Sequence, residues 1–101
     1  MANFLKILVG ETAENSLPII LNYDVIENIY LKDPDAVEAV SGKILISLNI
    51  RDGEGDVNLN ATKIALQTIF DAIQTLPGGK VVGVNFPKNI KCSNFSKTII
   101  G

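Results

Sequence analysis

From Lys43 to Arg51 the chain reads KILISLNIR, with Ile44, Ile46, Leu48 and Ile50 on every second position. A strand turns successive side chains to opposite faces, so four branched apolar residues share one face of this segment. Lys43, Leu45, Ser47, Asn49 and Arg51 take the other, a mostly polar set that fits water or an interface better than a second packed layer. A chain built around this strand makes a sheet covered on one side only.

The remaining segments say how that side is covered. Phe4 to Val9 alternates, with Leu5, Ile7 and Val9 opposite Lys6, and Leu17, Ile19, Leu21 and Tyr23 alternate again. Pro18 places this second strand at an edge, because proline donates no ladder hydrogen bond; Ile20 on its other face points to partial burial on both sides. Asp24 to Glu27 reads as one turn, and Asn28 to Leu31 as extended chain. Asp33-Pro34-Asp35 reads as a helix cap with proline at the first helical position, giving one or two turns over 36–40 before Gly42. Asp52-Gly53-Glu54-Gly55-Asp56 predicts a hairpin into Val57 to Leu59. Over 61–76, Leu66, Ile69, Phe70, Ile73 and Leu76 recur at helical spacing opposite Lys63, Gln67, Asp71 and Gln74. Asn58 or Asn60 can cap this helix, and Pro77-Gly78-Gly79 ends it. Val82, Val84 and Phe86 form a last core strand, ended by Pro87.

Composition agrees with an ordered domain. The chain has 101 residues, 47% of them hydrophobic, and a net charge of −2, which is enough apolar material for one core and too little charge for disorder. We expect a single domain over 1–101, with 88–101 as a C-terminal arm. No apolar run approaches the ~20 residues needed to span a bilayer, and the first ten residues lack the pattern of a signal peptide. A soluble protein with no membrane contact is expected.

The sequence offers little chemistry. It has no histidine, and its one cysteine, Cys92, lacks the partner that activates a thiol. Asp52, Glu54, Asp56, Asn58 and Asn60 imitate a calcium loop, but Val57 stands where glycine is needed and Lys63 where a bidentate glutamate is needed. Gly78-Gly79-Lys80 lacks the flanking residues of a phosphate loop and follows a helix instead of opening one. Asn60-Ala61-Thr62 and Asn94-Phe95-Ser96 match the glycosylation pattern by chance. We therefore expect no catalytic residue, no metal and no cofactor, and no enzyme.

Two features point to partners. Residues 1–56 carry four basic and ten acidic side chains, whereas 57–101 carry five basic and one acidic; if the asymmetry survives folding it can orient contacts between copies. Phe95, Ile99 and Ile100 put apolar surface near the end of the chain, where it must pack on its own domain or on a neighbour. They are the candidate self-association residues of a homo-oligomer. Lys80, Lys88, Lys91 and Lys97, with Phe86 and Phe95 among them, are the candidate contacts for RNA or single-stranded nucleic acid. A pI near 4.9 and a single arginine argue against nucleic acid as the main partner.

The opening MANFLKILV, then LPIILNYDVIENIYL, the alternating strand, ATKIALQTIFDAIQTL and PGGKVVGVNFP resemble, over residues 1 to 87, small proteins of marine tailed phages and related environmental sequences. The likeness lies in element order and texture. It implies a virion structural component, with other virion proteins as partners and the virion or host cytoplasm as location. The short bent strands also resemble the barrel of Sm-like proteins, which form rings and bind RNA, although there the helix precedes the first strand. The expected fold is α+β: a small curved antiparallel sheet or partly open barrel of five or six short strands, with one main helix before the last core strand.

Overall fold

The computed structural model describes residues 4–10, 15–74 and 81–100. Within them the chain is α+β. The strands are β1 (Phe4–Val9), β2 (Leu17–Asn22), β3 (Asn28–Lys32), β4 (Ala36–Ser41), β5 (Ile44–Asp52), β6 (Val81–Gly83) and β7 (Ile90–Ile99); the helix α1 (Leu59–Gln74) lies between β5 and β6. They form one unclosed sheet in the order β2-β1-β7-β5-β4-β3, with β6 also beside β1. All pairs are antiparallel except β1 with β6 and β1 with β7. The end strands β2 and β3 are joined by only residues 23–27, part of them a 3-10 turn, so the sheet must curl to bring its ends together.

The described sheet has seven strands because two segments are extended that the sequence does not announce. Asp33-Pro34-Asp35 is the turn of the β3–β4 hairpin, and 36–40 is strand, not helix. Alanine-rich sequence favours helix only weakly, and here register decides: Val37 sits opposite Leu48 and Ala39 opposite Ile46, all four buried. Ile90–Ile99, expected as an arm, pairs with β5 over nine residue pairs. The strand expected around Val82 to Phe86 is shorter, β6 ending at Gly83. The acidic turn does not open a hairpin: Val57 and Asn58 lead into α1 at Leu59.

The alternation in β5 is realised. Ile46, Leu48 and Ile50 are buried and Ile44 packs against them in part, each fully buried side chain contributing about 1.5–3 kcal/mol of transfer free energy. Leu5 and Ile7 of β1, Leu21 of β2, and Ile90 and Cys92 of β7 complete the core with α1. Asn58 caps the helix, its Oδ1 accepting the Ala61 amide at 3.2 Å. Ala61, Thr62, Ala65 and Ile69 are the buried residues of α1, small side chains that let its first turns approach the sheet closely. The Thr62 hydroxyl, 2.9 Å from the Pro34 carbonyl, ties those turns to the β3–β4 hairpin. Leu66 and Ile73 are partly buried as the helical spacing predicts; Leu76 and residues 77–80 lie outside the described residues.

Candidate functional site

Strand β7 changes character halfway. Ile90 and Cys92 point into the core, opposite Asp52 and Ile50. The register then slips between Asn49 and Ile50, leaving Ser93 as a bulge, with its hydroxyl 3.4 Å from the Asn49 carbonyl. An extra residue reverses the parity of everything after it. Phe95, Lys97 and Ile99 thus take the core side, opposite Leu48, Ile46 and Ile44, while Asn94, Ser96 and Thr98 take the polar side, opposite Asn49, Ser47 and Leu45.

The outer half of β7 has one backbone partner. Strand β1 meets β7 only at Val9 and Cys92, where the Gly10 amide donates to the Cys92 carbonyl at 2.9 Å. From Ser93 onward no described residue pairs with that edge. Phe95 is 40% exposed and Ile99 79%; Phe95 and Lys97 border an apolar groove of about 430 Å³, whose other wall includes Ile19, Ile20 and Val25. The candidate self-association residues are therefore placed together, Phe95 and Ile99 on one stripe and Ile100 next to it, its amide bonded to the Lys43 carbonyl.

The lysines are not gathered in the same way. Lys80 lies outside the described residues. Lys91 stands opposite Arg51, next to the Asp52–Ile90 pair, and Asn89, beside Lys88, lies so close to Gly53 that a Cβ there would meet its Cα at 3.3 Å. Lys88 and Lys91 thus adjoin the acidic turn at one end of β7, and the two charge-biased parts of the sequence interleave there. Lys97 lies six residues further on, roughly 20 Å away along the strand, and on the other face because of the bulge.

The acidic turn is held by its own backbone. The Asp52 carboxylate accepts the Glu54 amide at 2.9 Å and the Asp56 amide at 3.0 Å, and lies 3.5 Å from the Asn58 side-chain amide. These bonds, that from Asp56 foremost, hold its carboxyl below the usual range. Gly55 takes φ +86°, which the turn requires. Among the described residues no acidic or cysteine cluster is arranged to hold a metal ion. Burial pushes the Cys92 thiol up to about 12, so it stays protonated and a poor nucleophile near neutrality.

Two features escaped the sequence reading. Glu38 is buried on the polar face, its carboxylate taking the Tyr30 hydroxyl at 2.8 Å and lying 3.7 Å from the Lys32 ammonium; the bond to Glu38 raises the Tyr30 phenol above its ordinary pKa. The outward side of β2-β1-β6 is apolar: Leu8 and Ile20 are 56% and 57% exposed, and Val81 is comparably open. Ile20 is thus not covered on both sides as its sequence context implied. Its exposure was not legible, because nothing in the sequence says which face of an edge strand meets a neighbour.

No helix among the described residues is long and apolar enough to cross a membrane. Comparison of the chain with protein-family profiles, curated proteins and solved structures finds no match in any of the three.

Proposed function

We propose that this protein is a non-enzymatic, self-associating structural or assembly component, of a phage particle if the resemblance in its sequence texture holds. The observation that carries this reading is the outer half of β7: a strand in the middle of the sheet order whose second edge is bare among the described residues, beside an exposed apolar stripe. Unpaired strand edges are templates for another chain, and proteins that stay monomeric cover, shorten or charge them. Here a single lysine interrupts the stripe. The same reading takes the curled sheet as a partly open small barrel, supported by the short link between its end strands.

The alternative, an Sm-like ring module that binds RNA, needs a basic surface. Its described lysines are divided between the two ends of β7, Lys88 and Lys91 near the acidic turn and Lys97 beyond the bulge, so self-association has the better support. Sedimentation analysis of the purified full chain, with absorbance followed in both the nucleic-acid and the protein bands, tests both. A nucleic-acid-free oligomer is expected. A protein monomeric at the highest soluble concentration would overturn the proposal, and salt-sensitive co-purifying nucleic acid would favour the alternative.

A further inference from the structure

The backbone of β7 specifies how two copies would meet, an inference that rests on the self-association proposed above. In an antiparallel ladder, directly opposite residues alternate between exchanging hydrogen bonds and turning their amides and carbonyls outward. The Ile100 amide bonds to the Lys43 carbonyl at 2.7 Å, which continues the Ile44–Ile99 register by one residue. Alternation then assigns the bonded positions to Thr98, Ser96 and Asn94, and directs the backbone groups of Phe95, Lys97 and Ile99 away from β5. The Ile50 amide, bonded to the Asp35 carbonyl on the β4 side, fixes the same alternation in β5 independently. Before the bulge the Cys92 carbonyl also points outward, and there Gly10 occupies it. Among the described residues the edge is bare from the point where β1 stops.

An edge with this pattern is complementary to itself when two copies run antiparallel about a two-fold axis. Two registers bring the outward residues Phe95 and Lys97 opposite outward residues of the second copy at the centre of the exposed segment. Centring on Lys97 sets lysine opposite lysine, which is destabilising. Centring on Ser96 sets each Lys97 opposite Phe95 of the second copy, an ammonium beside an aromatic ring, and sets Asn94 opposite Thr98 on the polar face. We infer that a second copy of this chain docks by strand addition along 93–99 of β7, with Ser96 facing Ser96 of the second copy on the two-fold axis. The sheets of both copies become continuous, and Phe95 and Ile99 gain neighbours on the core side of the sheet.

The Ser96 pair is a non-bonded position, where Cα atoms approach to about 4.5 Å, within the ~4.4–6.8 Å that a disulfide spans. Thr98 of one copy would stand about 13 Å from Thr98 of the other, beyond that reach. Ser96→Cys and Thr98→Cys variants are therefore oxidised mildly and their covalent dimers followed on non-reducing gels, Cys92 being buried in both. Ser96→Cys is expected to cross-link about tenfold faster or more, given that geometry. Alongside, Lys97→Pro removes an outward amide that β5 does not use, and Lys97→Ala keeps it; the first should sediment as a monomer with unchanged circular dichroism, and the second should remain associated. Equal cross-linking of the two cysteine variants overturns the register. A folded Lys97→Pro protein that associates like the wild type overturns strand addition while leaving self-association standing, and loss of that association in Leu8→Lys, a residue of the outward face that does not line the groove, would then assign it to the β2-β1-β6 face. If Lys97→Pro fails to fold, the cross-linking rates decide. A monomeric wild type removes both this inference and the reading beneath it.

Discussion

The two halves of β7 share one ladder with β5 and differ in everything else. Before Ser93, Ile90 and Cys92 are sealed between β1, β5 and the core, while after it Phe95, Lys97 and Ile99 continue on the same side of the sheet with little to cover them. Both halves have alternating side chains and one common neighbour. What separates them is the second edge, filled by β1 up to Cys92 and, among the described residues, open beyond. Burial in a sheet strand thus depends on the neighbour's length as much as on its own pattern, and the place where a neighbour stops is where a partner chain can start.

The sharpest way to break this contrast is to cut each half at its β5 counterpart. Ile50→Ala, opposite Cys92 and fully buried, should cost about 2–5 kcal/mol in urea melts. Ile44→Ala, opposite Ile99, should cost under ~2 kcal/mol, since part of the transfer term is already missing at a half-covered site. Equal costs would mean that the outer half is packed as tightly as the inner.

Thiol chemistry separates the halves by rate. Native Cys92 should resist alkylation at neutral pH, whereas Phe95→Cys in a Cys92→Ala background should react as an exposed thiol does. The same burial has a pH signature. The Cys92 thiol keeps its proton in the folded chain up to about 12, against an ordinary 9.0, so the unfolded chain releases it first as pH rises. Its contribution is whole below pH 9 and is lost between there and about 12, and Cys92→Ala should flatten that part of the alkaline stability profile. Fast native alkylation of Cys92 would contradict its enclosure.

The smallest expected effect lies at the turn where the inner half meets β5. With the Asp52 carboxyl held below its ordinary 3.8, its contribution is present above that value and fades as pH falls through the folded one. Asp52→Asn should shallow the acid limb of stability without changing association. An acid limb identical to that of the wild type would show that the turn does not depend on this charge.

The sequence carries the inner half of this contrast and not the outer. The alternation of β5, the Asn58 cap and the edge position of β2 follow from local rules that the structure keeps: period two, a side-chain acceptor at a helix start, and proline at a strand edge. Strand β4 was illegible because 36–40 is short, and its conformation is set by Leu48 and Ile46 across the ladder. The stripe on β7 was illegible for a different reason. Phe95 and Ile99 stood out as apolar residues needing cover, but one bulged residue, Ser93, decides that they share a face with Cys92 and Lys97, and no local signal marks it. Likewise the four lysines form a group in sequence, and only the ladder shows that Lys91 and Lys97 point to opposite faces.

Amide exchange along β7, measured by NMR at several protein concentrations, tests the central claim most directly. The amides of Ser96 and Thr98, committed to β5, should be protected at every concentration, while those of Phe95, Lys97 and Ile99 should exchange freely in dilute solution and gain protection as the protein is concentrated. Protection of all five in dilute solution would contradict a bare edge. Free exchange at Phe95, Lys97 and Ile99 at concentrations where the protein is associated would contradict its use by a second copy.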